Sequence, residues 1–290
     1  MISGYFVHLL IIISIYLILA LSLQLSVGFT GLLNLGHIAF YAIGAYASAL
    51  LAKAGMPFWL CILAAGLLPM VFAYVLSLAT SKLKGDYFAL ATLGFSFVIY
   101  SLALNWTNVT NGPLGLPQIP KPQILGIDFS SNINFLFLAI TLAIVTYLVI
   151  NMITISPFGK TLEAIRDDEL AAKTLGKNTS MSKSVSLVIS SFFAGVAGSL
   201  FAYYLTYIDP SSFAFGNLIP IVVITVVGGL ASLPGTIFAT IIIVLLPEPL
   251  RFLGLPSSLI GPGRQALYAI FLLLILLFKP KGFYGKVDLE

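Results

Sequence analysis

The sequence predicts an all-α polytopic membrane protein of about eight or nine transmembrane or re-entrant helices. Three observations predict it. Hydrophobic residues make up 59% of the 290 positions and charged residues 8%, against about 25% charged in soluble domains. The apolar residues gather in runs close to the roughly 20 needed to cross a bilayer as a helix. The charges gather too: residues 156–183 carry five basic and four acidic side chains, with apolar chain on both sides.

The candidate spans are 5–25, 36–52, 58–79, 87–104, 135–155, 184–208 and 265–278. The first has no basic segment before it and no small-residue cleavage site after it, so a retained helix is expected and not a signal peptide. The block 217–246 is apolar but broken by GGLASLPG at 228–235. Each side is about half a span, giving two short helices or a re-entrant pair. Such breaks occur at membrane depth only where the freed backbone is buried in protein or lines a wet cavity. Residues 28–36 form another glycine-rich interruption, and the crossing number and the side of the N-terminus depend on it.

Basic residues concentrate on the cytoplasmic side of membrane proteins. That rule places Lys82, Lys84, the central loop and Lys279, Lys281 and Lys286 in the cytoplasm, with the C-terminus. The stretch 105–134, with Lys121 alone, and the turn at Asp209 face outward. These assignments agree only if 217–246 enters and leaves on one side, which leaves Arg251 and Arg264 outside, against the rule. The excess of four positive charges belongs to the loops and is no argument for nucleic acid.

The central loop has internal order. Ser156-Pro157 is a helix start, the hydroxyl capping free N–H groups and proline filling the first turn. Phe158, Leu162 and Ile165 repeat on one helical face, opposite Lys160 and Glu163. Asp167 or Asp168 caps a second short helix, which Gly176 ends. Two short amphipathic helices at the membrane surface, docking a soluble partner, are expected.

No chemistry of its own is legible. Gly159-Lys160-Thr161 matches the end of a phosphate-binding loop, but Thr154 holds the leading glycine position, Pro157 lies inside, and a membrane helix precedes it where the motif needs a strand. His8 and His37 are too far apart for a metal site, and Cys61 is the one cysteine. Gln24 and Asn34 suit interhelical hydrogen bonds; Asp86 suits a helix N-terminus. Ser190, Ala194, Gly198 and Ala202 form a small-residue stripe for close helix packing. No carboxylate sits mid-span, as an ion-coupled carrier would usually require. GLLNLGHIAFYAIGA (31–45) and GLASLPGTIFATII (229–242) echo one another, as paired broken segments do along a translocation path. The path is therefore expected at Gly31, Asn34, Gly36, His37, Gly228, Gly229 and Gly235, with a structural hydrogen bond to backbone the other reading of His37.

Five stretches in order, GFTGLLNLGHIAFYAIGAY (28–46), LKGDYFALATLGF (83–95), TNGPLGL (110–116), SPFGKTLEAIRDDELAAKTLGKN (156–178) and FKPKGFYG (278–285), resemble one family over nearly the whole chain. It is the inner-membrane permease of branched-chain amino-acid ABC importers, M-type subunit. The resemblance implies a single transmembrane permease domain over 1–290, in the ABC importer permease fold with two pseudo-symmetric halves. It implies as partners an H-type permease, two cytoplasmic ABC ATPases that bind the ATP, and a periplasmic or lipid-anchored amino-acid-binding protein. It implies no cofactor or enzymatic activity in this chain.

In such importers a loop bearing E-A-A-x-x-x-G docks on an ATPase. Here Ala171, Ala172 and Gly176 keep A-A-x-x-x-G, while Leu170 takes the Glu place and Glu169 stands one residue earlier. Phe158, Leu162 and Ile165 are then the expected ATPase contact, with Arg166 and the acids setting register. The helices do not choose between a branched-chain amino acid and urea or a short amide as cargo. A stand-alone secondary carrier is the reading from another class.

Overall fold

The computed structural model describes all residues except 1, 81, 82, 84, 125, 126, 253–255, 280 and 286–290. Lys82, Lys84 and Lys286, used above for orientation, lie outside the described residues, as does the side chain of Arg251.

Helix α1 (Ile2–Gln24) runs on into a π turn, Leu25–Phe29. An irregular stretch leads to α2 (His37–Lys53); α3 (Phe58–Thr80) and α4 (Asp86–Asn105) follow. A one-turn α5 (Thr107–Thr110) and a two-residue hairpin, Gln123–Ile124 with Ile127–Asp128, precede α6 (Asn132–Ile155). The central loop is α7 (Pro157–Asp167) and α8 (Glu169–Thr174). Then come α9 (Thr179–Leu205), the short pair α10 (Ile219–Gly228) and α11 (Leu233–Leu245), and α12 (Ser257–Phe278). Seven described helices are long and apolar enough to cross a membrane. Among the described residues, the shorter apolar α2 and α10 bring the bundle helices to nine.

Contacts fix those ends. Arg166 of α7 reaches the π turn, and Gln24 reaches the α10–α11 break. The C-terminal turn binds that break too, Phe283 N–H donating to Val227 O. These meet at one end, the loop end. At the opposite end Lys53 donates to the Pro117 carbonyl, Leu116 pairs with Ile208, and the Tyr5 hydroxyl donates to Glu248. The block 217–246 therefore enters and leaves on one side, as the charge argument requires. The N-terminus joins the opposite end and α12 finishes at the loop end.

Helix α9 is the pillar. It packs along both α2 and α3, and its small residues are the reason. A Cβ on Gly198 would lie 2.1 Å from the Tyr41 carbonyl oxygen, and one on Gly44 would lie 2.3 Å from the Gly195 Cα. Pro69 inside α3 leaves the Ala65 carbonyl without its helical donor, and that oxygen faces Gly195, where a Cβ would come within 1.9 Å. The stripe is a packing surface, as expected. By contrast α3, α4, α6 and α12 turn large apolar side chains outward, among them Val71, Leu90, Phe137 and Leu277. A bilayer, or a second membrane protein, is the solvent for those faces.

Candidate functional site: a junction between the polar loop and two helix breaks

Local chemistry builds the loop. The Ser156 hydroxyl accepts from Gly159 N–H at 3.3 Å, and the Asp168 carboxylate accepts from Leu170 and Ala171 N–H at 2.8 and 3.0 Å. Asp168, not Asp167, is the second cap. Gly176, at φ +77°, turns the chain out of α8.

Glu169 clamps α8 to the start of α9. Its carboxylate accepts from Lys183 at 2.6 Å and Thr179 at 3.1 Å, and pairs with Lys173 at 3.1 Å. Burial alone would push this carboxyl up, but the hydrogen bonds from Lys183, Lys173 and Thr179 outweigh it and pull it down to about 2.

The apolar face of α7 is turned inward. Leu162 and Ile165 are 0% and 3% exposed, and Phe158 is half-buried. This corrects the expectation that they form the surface offered to a partner. They hold the loop against the bundle, where α7 packs on α6, α9 and the π turn. The surface turned outward belongs to α8 and the turn after it. Leu170 and Leu175 are 66% and 78% exposed, Ala171 and Gly176 are exposed beside them, and Ala172 is buried. Sequence reasoning missed both leucines, although Leu170 at the place of a Glu was the available signal.

Arg166 ties the loop to the first break. Its Nη1 donates to the Gly28 carbonyl at 3.0 Å, while Nε and Nη2 bind Asp167. Gly31, at φ +74°, passes so close that a Cβ would lie 3.0 Å from the Arg166 Cγ. A few ångströms away the breaks meet. Gln24 Nε2 donates to Gly229 O at 2.6 Å, the interhelical bond expected of it. Together Phe29, Ala231, Ser232, Lys160, Glu163 and Tyr284 line much of a 490 Å³ cavity at this end.

The other expected path residues are buried in the bundle. His37 is fully buried, its Nε2 donating to Leu19 O at 3.2 Å with the Ser22 hydroxyl 3.0 Å away. The Asn34 side-chain oxygen accepts from Gly36 N–H, a local bond and not the interhelical one expected. Gly36 lies against the Thr92 carbonyl, and Gly228 and Gly235 lie against each other, with 1.9 Å between a Gly235 Cβ and the Gly228 oxygen. Gly229, at φ +96°, lies against Gly285. These glycines allow backbones to touch, and none is among the residues lining the 490 Å³ cavity. Among the described residues no group of His, Cys, Asp and Glu has the makings of a metal site.

The loop is thus tied to the first of two adjoining helix breaks, and the first break to the second. The family described as "Branched-chain amino acid transport system / permease component" matches residues 5–279. The high-affinity branched-chain amino acid transport system permease protein LivM of Escherichia coli K12 is 36% identical, over 92% of this chain and 67% of that protein. LivH of the same organism is 25% identical, over 96% of this chain and 93% of that protein. Among solved structures, PsaBC from Streptococcus pneumoniae in complex with Fab is similar over 95% of this chain and 92% of that one, at a TM-score of 0.49 and 16% identity. From the family match and the LivM identity, the chain belongs to the permease family of branched-chain amino-acid transport systems, as an integral membrane protein and not an enzyme.

Proposed function

We propose that this chain forms half of the membrane path of an ATP-driven importer for branched-chain amino acids. An H-type permease supplies the other half. Two cytoplasmic ATPases bind and hydrolyse the nucleotide, and a periplasmic or lipid-anchored binding protein delivers the cargo. The loop end, with the C-terminus, faces the cytoplasm. The concentration there of Lys160, Arg166, Lys173, Lys177, Lys183, Lys279 and Lys281 supports that orientation.

The observation that carries the reading is the two-sided loop. Its outer surface, Leu170, Ala171 and Leu175, is apolar and uncovered, which suits a protein partner. Its inner surface, Leu162, Ile165 and Arg166, is fastened to the bundle and to Gly28. An ATPase closing on the outer surface pulls α7, α7 pulls the π turn through Arg166, and Gln24 passes the displacement to the α10–α11 break. The cavity beside that break then opens or shuts toward the cytoplasm. No nucleotide or cofactor needs to bind this chain.

The test is Leu170→Glu with Leu175→Glu in the reconstituted complex. Both side chains are exposed, so the fold is kept. ATPase co-purification and ATP-driven leucine uptake should both fall at least tenfold. Unchanged association and uptake would remove the docking surface from α8.

A further inference from the structure

Arg264 stands within α12 and is the only charged residue of that helix. It lies at the end poorer in basic residues, against the usual charge rule. An ionisable side chain inside a membrane helix faces protein or a wet cavity and marks a functional site by default. The structure gives it such a cavity, about 210 Å³ at the opposite end, between α1, α9, α10, α11 and α12. That is below the roughly 300–1,000 Å³ of drug-sized pockets, as suits a smaller solute.

The lining has two halves. Arg264, Glu248, His8, Tyr16 and Tyr268 are polar; Leu9, Ile12 and Val244 are among the apolar ones. Tyr5 donates its hydroxyl to Glu248 and so fixes that carboxylate. The Arg264 Nε is buried with no hydrogen-bond partner among the described residues. A guanidinium is a fork that binds carboxylates through two parallel N–H bonds, and a buried N–H without an acceptor is unfavourable. The cavity thus holds a donor lacking its acceptor, a carboxylate and an apolar wall.

We propose that this cavity is a transit site for a zwitterionic α-amino acid with a branched side chain. Arg264 takes the α-carboxylate, Glu248 the α-ammonium, and Leu9, Ile12 and Val244 the side chain. The assignment rests on the importer reading above. It also accounts for an arginine held where the charge rule disfavours one.

The test uses the assembled transporter in nanodiscs, without binding protein or nucleotide. Binding of radiolabelled L-leucine is read by scintillation proximity, with unlabelled L-leucine and L-leucinamide, which lacks the carboxylate, as competitors. The wild type should bind leucine saturably and prefer it to leucinamide at least tenfold. Arg264→Gln should weaken leucine binding at least tenfold and abolish that preference. Val244→Trp, which fills the apolar half and spares both charges, should weaken binding at least tenfold. Absence of saturable binding in the wild type, survival of the preference in Arg264→Gln, or unchanged binding in Val244→Trp each overturns the proposal. If Arg264→Gln fails to assemble, Val244→Trp decides. ATP-driven leucine uptake by the wild type is measured in parallel. Loss of that uptake sinks the importer reading, whereas uptake with unaltered variant binding sinks the cavity alone.

Discussion

Replacing Arg166 with Ala should uncouple ATP hydrolysis from transport. The side chain is 13% exposed, and its bond to the Gly28 carbonyl joins groups 138 residues apart. A hydrogen bond from a charged donor contributes about 1.5–3 kcal/mol, and its loss also leaves the buried Gly28 oxygen unpaired. The companion pair with Asp167 adds about 0–1 kcal/mol, because Asp167 is 64% exposed. Arg166→Ala therefore loosens the link between α7 and the π turn by about 1.5–3 kcal/mol, or at least tenfold in the population of linked states. The loop itself stays in place, since Leu162 and Ile165 remain buried. In proteoliposomes the ratio of leucine imported to ATP hydrolysed should fall at least tenfold while ATPase association and hydrolysis persist. A ratio within twofold of wild type, with association intact, would refute transmission through Arg166.

Two further predictions concern the pillar and the clamp. Gly195→Ala sets a methyl carbon 1.9 Å from the Ala65 oxygen, and overpacking of this kind costs about 1–3 kcal/mol or more; the thermal midpoint in detergent should drop by several degrees, and an unchanged midpoint would mean that α3 and α9 separate freely. The Glu169 carboxyl is held below its unfolded value, so its stabilising contribution is full above about 4.5 and is lost as pH falls through about 2. A nitroxide placed at Leu175, 78% exposed, should keep its mobility from pH 7 to about 4.5 and gain mobility as pH falls on toward about 2, whereas Glu169→Gln should show the mobile spectrum already at pH 7.

Much of this was legible because it is local. Ser156 and Gly176 announce helix ends by chemistry acting within a few residues, and each performs the expected role. Gln24, an amide in an apolar helix, had to find a partner across a helix interface and did. The inward turn of Leu162 and Ile165 was not legible, since an amphipathic helix reveals that one face is covered but not by what. The glycines are ambiguous for a related reason. Close backbone approach and a solute path both demand a residue without a side chain, and the close approach is what the structure displays at Gly36, Gly228 and Gly235. Asn34 is half satisfied: its Oδ1 accepts locally from Gly36 N–H, while its Nδ2 is buried without a partner among the described residues.

The contact of Gly44 and Gly198 with the backbone across from them has one more consequence. Where peptide meets peptide there is no rotamer to flip and no methyl to compress, so at these points α2 and α9 have no soft layer that absorbs a push. They act as a chassis. In the proposed mechanism, work delivered at the polar loop is passed on past these contacts to the pivots nearby, where the chain is already bent.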